Sequence, residues 1–255
     1  MSKKSKNPRK LLIVGSDSSL QLDRTSKSSY RLLVEGNNDH LVIPEIIEAC
    51  GITWKIEENG IQRTVVNIQP MGGIDNITDD VISAELKSSG LSALGIVIDA
   101  DNIQGKKSDD VQNWIKLRDK CQKVDELTDI NIPNVPEKAG FITQLENGIR
   151  FGIWIMPDNQ SSGMLETFLA SLVPVEQANL WSYAVEVVER ARELGAPFIK
   201  NHRDKARIHT WLAWQNPPDQ SLYNAVQSMK EDEKLNLTSP QVQAFVDWFR
   251  RLYDL

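Results

Sequence analysis

Acidic side chains follow two short apolar runs in this sequence, and their positions suggest chemistry with a metal ion. The segment Glu35–Asp39 follows one run, and Asp99 and Asp101 follow the other. Such runs predict buried strands, and α/β sheets place ligands at the carboxyl ends of their parallel strands. Converging carboxylates repel one another unless a cation lies between them, and a hard divalent cation is the usual partner of carboxylate oxygens. The two segments therefore predict a metal site that acts on phosphate.

Strand geometry brings two of these acids together, and two more acids extend the predicted site. Residues two apart in a strand share a face, so Asp99 and Asp101 are expected to point the same way. Asp158 follows a third apolar run, and Glu166 lies in the first turn of a predicted helix. Mg²⁺ takes one or two protein carboxylates together with waters and phosphate oxygens. Two such ions would stabilise both the attacking and the leaving oxygen of a displacement.

Each acid also has a purely structural interpretation. Glu35, which precedes a glycine, is suited to the start of a helix, and Asp39 to capping the free N–H groups there. The acids after the second run would be solvated loop residues. Asp158 and the asparagine after it are common in turns, and Glu166 suits the positive end of a helix dipole.

The densest basic cluster of the chain is Lys200–His209, which two tryptophans follow closely. If this segment folds over the acidic edge, Lys205 would be catalytic, because a cation stabilises charge that develops in a transition state. Arg203 and Arg207 would bind phosphate. Gly72-Gly73, between a predicted strand and a predicted helix, would let backbone amides approach a phosphate. The alternatives are a solvated helix face whose tryptophans pack inward, and a plain turn.

The composition is that of an ordinary globular protein of 255 residues, with 40% hydrophobic and 25% charged residues. The formal net charge is −6 although the first ten residues carry five positive charges, so the remainder is acidic. An acidic body argues against broad non-specific binding to duplex DNA. No apolar stretch approaches the ~18 residues of a membrane span, and the first apolar run is too short for a signal peptide. We therefore expect a cytoplasmic protein whose two cysteines are reduced thiols.

Strand-like and helix-like patterns alternate from residue 30 to residue 172. Strands are expected at Arg31–Val34, Thr64–Ile68, Leu94–Ile98, Phe141–Leu145 and Ile149–Met156, and helices at His40–Cys50, Ile74–Ser88, Asp109–Leu127 and Met164–Leu172. Such units predict an α/β fold with a mostly parallel sheet flanked by helices, here with an inserted β-hairpin turning at Asn147-Gly148. Residues 173–255 are expected to form a helical extension packed on this domain, with helices at Val175–Leu194, Asp204–Trp214, Leu222–Met229 and Pro240–Tyr253. Residues 1–29 are expected to form a basic tail, in which Leu11–Val14 is either an edge strand or part of the tail.

The pattern Glu35-Gly36 with an acid at Asp39, followed by Asp99-Ala100-Asp101 after a later strand, resembles a Toprim domain. This catalytic module occurs in topoisomerases, bacterial primases and OLD-family nucleases, and Glu-Gly-x-x-Asp is similar to OLD-like and small stand-alone members. The resemblance covers residues 30 to about 172. It implies Glu35 as a metal ligand or general acid/base, the two later aspartates as metal ligands, and Asp39 as part of a second metal site.

The resemblance also implies Mg²⁺ or Mn²⁺ as the cofactor, DNA or RNA as the substrate, and an ATPase on another chain as a partner in DNA maintenance or anti-phage defence. The predicted function is therefore metal-dependent hydrolysis of phosphodiester bonds. One alternative is a non-catalytic Toprim-like module that binds metal, nucleotide or another protein. A third interpretation is an enzyme that acts on a small phosphorylated molecule. No Ser/His/Asp or Cys/His arrangement is apparent, which argues against covalent hydrolase chemistry.

Overall fold

The structure is a computed structural model, and it describes residues 28–58, 61–100, 112–218 and 220–255. Its strands are β1 (Tyr30–Val34), β2 (Lys55–Glu58), β3 (Ile61–Thr64), β4 (Asn67–Pro70), β5 (Ala93–Asp99), β6 (Phe141–Gln144) and β7 (Arg150–Met156). Its α-helices are α1 (Asn37–Ala49), α2 (Asp79–Leu86), α3 (Gln112–Cys121), α4 (Leu165–Ala170), α5 (Ala178–Glu193), α6 (Arg203–Ala213), α7 (Leu222–Glu231) and α8 (Pro240–Tyr253). The predicted N-terminal tail, with Leu11–Val14, lies outside the described residues apart from residues 28 and 29.

Five of the strands form one sheet in the order β4-β1-β5-β7-β6. β4, β1, β5 and β7 run parallel, and β6 runs antiparallel beside β7. This confirms the predicted α/β class with a mostly parallel sheet. The predicted hairpin is β6–β7, and because β7 pairs with β5 it forms part of the main sheet. The parallel strands place their carboxyl ends at one edge, where ligands of α/β sheets bind.

The predicted strand Thr64–Ile68 is wrong, because its residues belong to two different sheets. Thr64 pairs with Lys55 in a small antiparallel sheet made of β2 and β3. β4 begins only at Asn67, which pairs with Arg31 of β1. A β-branched run favours strand conformation without specifying the partner strand, so tertiary pairing decides where such a run is divided.

Four predicted helices have other bounds in the structure, and one of them, Met164–Leu172, is the shorter helix α4. α1 already begins at Asn37. The predicted helix Ile74–Ser88 is divided into a short 3₁₀ turn and α2, because the Thr78 side chain accepts a hydrogen bond from the backbone of Val81 and caps α2 there. The described part of the predicted helix Asp109–Leu127 is α3 followed by a separate 3₁₀ turn. The four C-terminal helices are confirmed, with ends shifted by a few residues.

Helices cover both faces of the sheet, as predicted. On one face, Leu33 and Ile96 of the sheet pack in a buried cluster with Trp114 of α3. On the other face, Trp154 of β7 lies 5.4 Å from Phe245 of α8 between ring centroids. The second cluster joins sheet residues to α1, α4 and the C-terminal helices in one hydrophobic core. The predicted domain boundary at residue 172 stays a prediction.

The structure also bears on the membrane and cysteine predictions. Within the described ranges, no helix combines the length and the apolar character that crossing a membrane requires. Cys50 is half-buried and Cys121 is buried, and both are free thiols. Burial raises the pKa of Cys121 to about 12, so this thiol stays protonated at neutral pH.

A glycine in β5 allows α8 to lie close to the sheet. A Cβ atom at Gly95 would lie 2.5 Å from the Tyr253 hydroxyl and 2.7 Å from a methyl carbon of Leu32. The same hydroxyl donates a hydrogen bond to the Arg31 carbonyl oxygen at 2.7 Å, in the buried interior. We expect Gly95→Ala to lower the free energy of unfolding by about 1–3 kcal/mol through overpacking, as measured by urea denaturation. Ser92→Ala, at an exposed neighbouring position, is the control, and equal midpoints for both variants would contradict this packing account.

Candidate functional site

The main sheet has a topological switch between β1 and β5. From β1 the chain proceeds to β4 on one side, whereas from β5 it proceeds to β6 and β7 on the other side. β1 and β5 are themselves hydrogen-bonded neighbours, with Val34 beside Val97. In open α/β sheets a crevice forms outside the carboxyl ends of two such strands, and ligands bind in it. The topology therefore predicts that a ligand binds near the residues at the ends of β1 and β5.

Glu35 follows β1 and Asp99 ends β5, so both predicted site residues lie at this switch. The backbone N–H of Asp99 donates a hydrogen bond to Glu35 Oε2 at 3.2 Å. The Asp99 carboxylate accepts one from the backbone N–H of Leu165, the first residue of α4, at 2.9 Å. Its carbonyl oxygen accepts another from the Asn113 side chain of α3 at 2.8 Å. Asp99 is thus held by Glu35, by α3 and by α4.

Asp39 and Glu166 enter the same region from two helices. Asp39 is the third residue of α1, only 5% exposed, and its side chain accepts a hydrogen bond from the backbone N–H of Gly36 at 3.0 Å. The capping interpretation of Asp39 is therefore realised in the structure. Glu166 in the first turn of α4 is 4% exposed, and Lys205 Nζ of α6 lies 3.8 Å from its Oε1.

These acids act on one another electrostatically. Burial, together with the charges of Glu35 and Glu166, raises the pKa of Asp39 to about 7, against the hydrogen bond from Gly36. Burial also raises the pKa of Asp99 well above its usual value, and the charges of Asp39, Glu35 and Glu166 add to this effect. We call Glu35, Asp39, Asp99 and Glu166 the acidic cluster. A bound cation would relieve the repulsion between these four carboxylates.

The donor chemistry of the acidic cluster fits a hard divalent cation, since all its side-chain donors are carboxylate oxygens. Within the part of the chain that the structure describes, no three acidic, histidine or cysteine side chains are arranged so that they already hold a metal ion. Asp101, a predicted ligand, lies outside the described residues. Mg²⁺ keeps most of its waters and takes only one or two carboxylates, and Mg²⁺ or Mn²⁺ as the cofactor stays a prediction.

Asp158 is engaged in a turn of its own. One carboxylate oxygen accepts hydrogen bonds from the backbone N–H groups of Gln160 and Ser161 at 3.1 and 2.7 Å, and the other from the Ser161 hydroxyl at 3.0 Å. The structure thus joins four predicted acids and leaves Asp158 in the turn role that its sequence context also allowed.

Gly72-Gly73 lies beside Glu35, at the carboxyl end of β4. The backbone N–H of Gly73 donates to the Glu35 carbonyl oxygen at 2.9 Å. Both glycines have positive φ angles, 74° and 120°, which disfavour any residue with a side chain. The Asn76 side chain donates to the carbonyl oxygens of Met71 and Gly72 and closes the turn. A role of these glycines in phosphate binding stays a prediction.

A second feature, which we call the cationic pocket, adjoins the acidic cluster. It has a volume of about 270 Å³ and is lined by Ser162, Thr167, Lys200, Arg203, Asp204 and Arg207. It is linked to α4, the helix that carries Glu166, because the Thr167 hydroxyl donates to Asp204 at 2.6 Å. The pocket thus lies next to the acids that the sequence predicted.

Both predicted phosphate-binding arginines are positioned by one carboxylate on α5. Glu189 lies 3.2 Å from Arg203 Nε and 2.7 Å from Arg207 Nη2. Of the two tryptophans of this segment, Trp211 is buried, as the structural interpretation expected, whereas Trp214 is 39% exposed. Sequence reasoning missed Glu189 and Thr167, because neither stands in a motif and only tertiary packing of α4, α5 and α6 joins them to the pocket.

Comparisons with known proteins give one result. A family model described as "Protein of unknown function (DUF3226)" matches residues 29–254 of the chain. None of the curated proteins and none of the solved structures matches it. The matched region includes every residue of the acidic cluster and of the cationic pocket.

Proposed function

The chain belongs to the protein family of unknown function DUF3226, and from its acidic cluster we propose that it is a Toprim-like nuclease that hydrolyses phosphodiester bonds in DNA or RNA with Mg²⁺ or Mn²⁺. One observation carries the proposal. Glu35 and Asp99 end neighbouring parallel strands at the topological switch, hydrogen-bonded to each other. Asp39 and Glu166 lie close enough for their charges to act on Asp99. Four acids at this position are costly for folding unless they serve a cation.

In this proposal, Glu35, Asp39, Asp99, Glu166 and the predicted ligand Asp101 would supply one or two carboxylates to each bound ion, and waters and phosphate oxygens would complete its coordination. When bound, a divalent cation supplies charge stabilisation at the oxygens of the phosphate. Water attacks phosphorus, the P–O bond to the leaving oxygen breaks, and the leaving oxygen gains a proton from solvent. Glu35 takes the proton that the attacking water loses, since its carboxylate is at the crevice and already accepts a hydrogen bond there from the Asp99 backbone. The hydrogen bonds from α4 and α3 keep Asp99 in place during this step.

The basic side chains of α6 have a separate role in the proposal. Lys205 is half-exposed and lies 3.8 Å from Glu166, so its charge is at the border between the acidic cluster and solvent. There it stabilises the negative charge that develops on phosphate. Arg203 and Arg207 bind neighbouring phosphates of the substrate. The Glu189 carboxylate holds both guanidinium groups and so reduces the entropy that they lose on binding.

A second candidate is the non-catalytic module that binds metal, nucleotide or another protein, such as an ATPase partner. It is favoured by the hydrogen bond by which Asp39 accepts from Gly36, since this bond gives that buried acid a structural purpose. The two candidates differ in whether the bound ion leads to bond cleavage.

The test is cleavage of labelled single-stranded DNA, double-stranded DNA and RNA by the wild-type protein with Mg²⁺, with Mn²⁺ and with EDTA. We expect cleavage of at least one substrate with a metal ion and none with EDTA. Titration calorimetry with Mn²⁺ is run on the same preparation. Metal binding without cleavage of any substrate would replace the nuclease by the non-catalytic module, and the absence of both would contradict the nuclease and a module that works by binding metal.

A further inference from the structure

Two aromatic rings are stacked on each other at the protein surface. Tyr183 of α5 and Trp214 at the carboxyl end of α6 lie 5.6 Å apart between ring centroids, with an angle of 25° between their planes. Tyr183 is 55% exposed and Trp214 39% exposed. By contrast, Trp211 on the same helix is buried against Trp181. Exposed large apolar side chains that are already arranged side by side form a surface on which another planar group can stack.

This aromatic pair lies on the same side of α6 as the cationic pocket. In an α-helix with 100° per residue, Arg203, Arg207 and Trp214 fall within about 40° of one another around the axis. Trp214 lies seven residues after Arg207, which is about 10 Å along the axis. One or two nucleotides of an extended strand cover such a distance. Cations and exposed aromatic rings in line are the two components of surfaces that bind single-stranded nucleic acids.

The charge of the pocket favours an anion. Lys200, Arg203 and Arg207 line it, and Arg207 pairs with Asp204 while both arginines pair with Glu189. Three cations against two carboxylates leave one net positive charge, in a chain with a net charge of −6. Among the described residues, the Lys200 side chain has no hydrogen-bond or ion-pair partner, so its ammonium group is available to a ligand.

We propose that α5 and α6 bind single-stranded nucleic acid, with a phosphate in the cationic pocket and a base stacked on the Tyr183–Trp214 pair. This inference rests on the proposed function, because it assigns the kind of strand that the acidic cluster receives. The bases of a duplex are stacked on each other, so their faces do not reach a protein side chain unless the duplex opens. The small number of cations also disfavours duplex DNA, whose non-specific binding relies on many phosphate contacts.

The test measures binding by fluorescence anisotropy with a short labelled oligothymidine and with a duplex of the same length, in EDTA so that no cleavage occurs. We expect the wild-type protein to prefer the single strand. Trp214→Ala should weaken this binding about tenfold, since stacking of one base contributes on that scale. Trp214→Phe, which retains a ring, should restore most of the affinity.

The salt dependence tests the pocket. For Lys200→Ala we expect the slope of log K against log salt to fall by about 0.7, which is the value for one phosphate contact on a single strand. Lys116→Ala is the matched control, because Lys116 is an exposed lysine on α3, against the opposite face of the sheet. This control should leave both the affinity and the slope unchanged.

The outcomes separate this inference from the proposed function. Equal affinity for duplex and single strand, or an unchanged affinity in Trp214→Ala, would overturn the inference even if the protein cleaves nucleic acid with Mg²⁺; the aromatic pair would then be assigned to a protein partner. Tight single-strand binding that depends on Trp214 and Lys200, without cleavage under any metal condition, would support the inference and contradict the nuclease.

Discussion

Glu35→Gln and Asp99→Asn are each expected to reduce metal-dependent cleavage at least about 100-fold, the scale on which single catalytic groups contribute. Each change removes a negative charge and retains the shape of the side chain. An amide oxygen at position 35 still accepts the hydrogen bond from the Asp99 backbone, and one at position 99 still accepts that from Leu165. The loss should therefore reflect chemistry, with the fold preserved. Initial rates under saturating Mg²⁺ or Mn²⁺ give the comparison.

Asp247→Asn is the matched control for these two variants. Asp247 is an exposed acid on α8, 3.9 Å from Arg250, and the same chemical change there should leave the rate within about twofold, as for most surface substitutions. Circular dichroism and urea denaturation establish that all three variants are folded. Wild-type rates in Asp99→Asn would show that the acidic cluster is not the active site.

The metal-free protein is expected to become less stable as the pH rises from 5 to 8. The pKa of Asp39 rises from 3.8 to about 7 on folding, and that of Asp99 also rises well above 3.8. In this range the folded state therefore binds more protons than the unfolded state, and the free energy of unfolding falls with pH. For Asp39 alone the loss is on the order of a few kcal/mol. Added Mg²⁺ should offset it, because a bound cation stabilises the ionised carboxylates.

Urea denaturation followed by tryptophan fluorescence, at several pH values in EDTA and in Mg²⁺, measures this effect. Asp39→Asn should remove much of the pH dependence, since the asparagine oxygen still accepts from Gly36 but no charge is buried. Glu126 does not contribute to this pH dependence. Against the effect of desolvation, hydrogen bonds from its own backbone, Lys87 and Ser83 lower the pKa of Glu126, so it changes its proton binding below this range. A free energy of unfolding that is constant or increases from pH 5 to 8 in EDTA would contradict the electrostatic account of the site.

The sequence predicted the sheet and the place of the acids because both depend on local patterns. Buried parallel strands are continuous apolar runs, and an acid directly after such a run must lie at the carboxyl edge. Glu35 and Asp99 therefore lie at the carboxyl ends of β1 and β5. The identification of a Toprim-like family, the metal and the nucleic-acid substrate stay predictions.

The features that sequence reasoning did not predict depend on contacts between distant parts of the chain. The Thr64–Ile68 run has the same strand propensity in either sheet, and only its pairing with Lys55 and Arg31 divides it. Asp158 is as suited to a metal as to a turn until the hydrogen bonds from Gln160 and Ser161 are known. The cationic pocket likewise requires that α4, α5 and α6 be adjacent.

The hydrogen bond between the Tyr253 hydroxyl and the Arg31 carbonyl joins residues 222 positions apart, and this has a consequence during synthesis. At about 5–20 residues per second, the ribosome completes α8 roughly 10–40 s after β1. During that interval the face of the sheet that carries Leu32 lacks the side chains of α8 that cover it in the folded protein. An uncovered apolar surface of this kind is a binding site for chaperones, so the nascent chain is expected to depend on them until α8 is made.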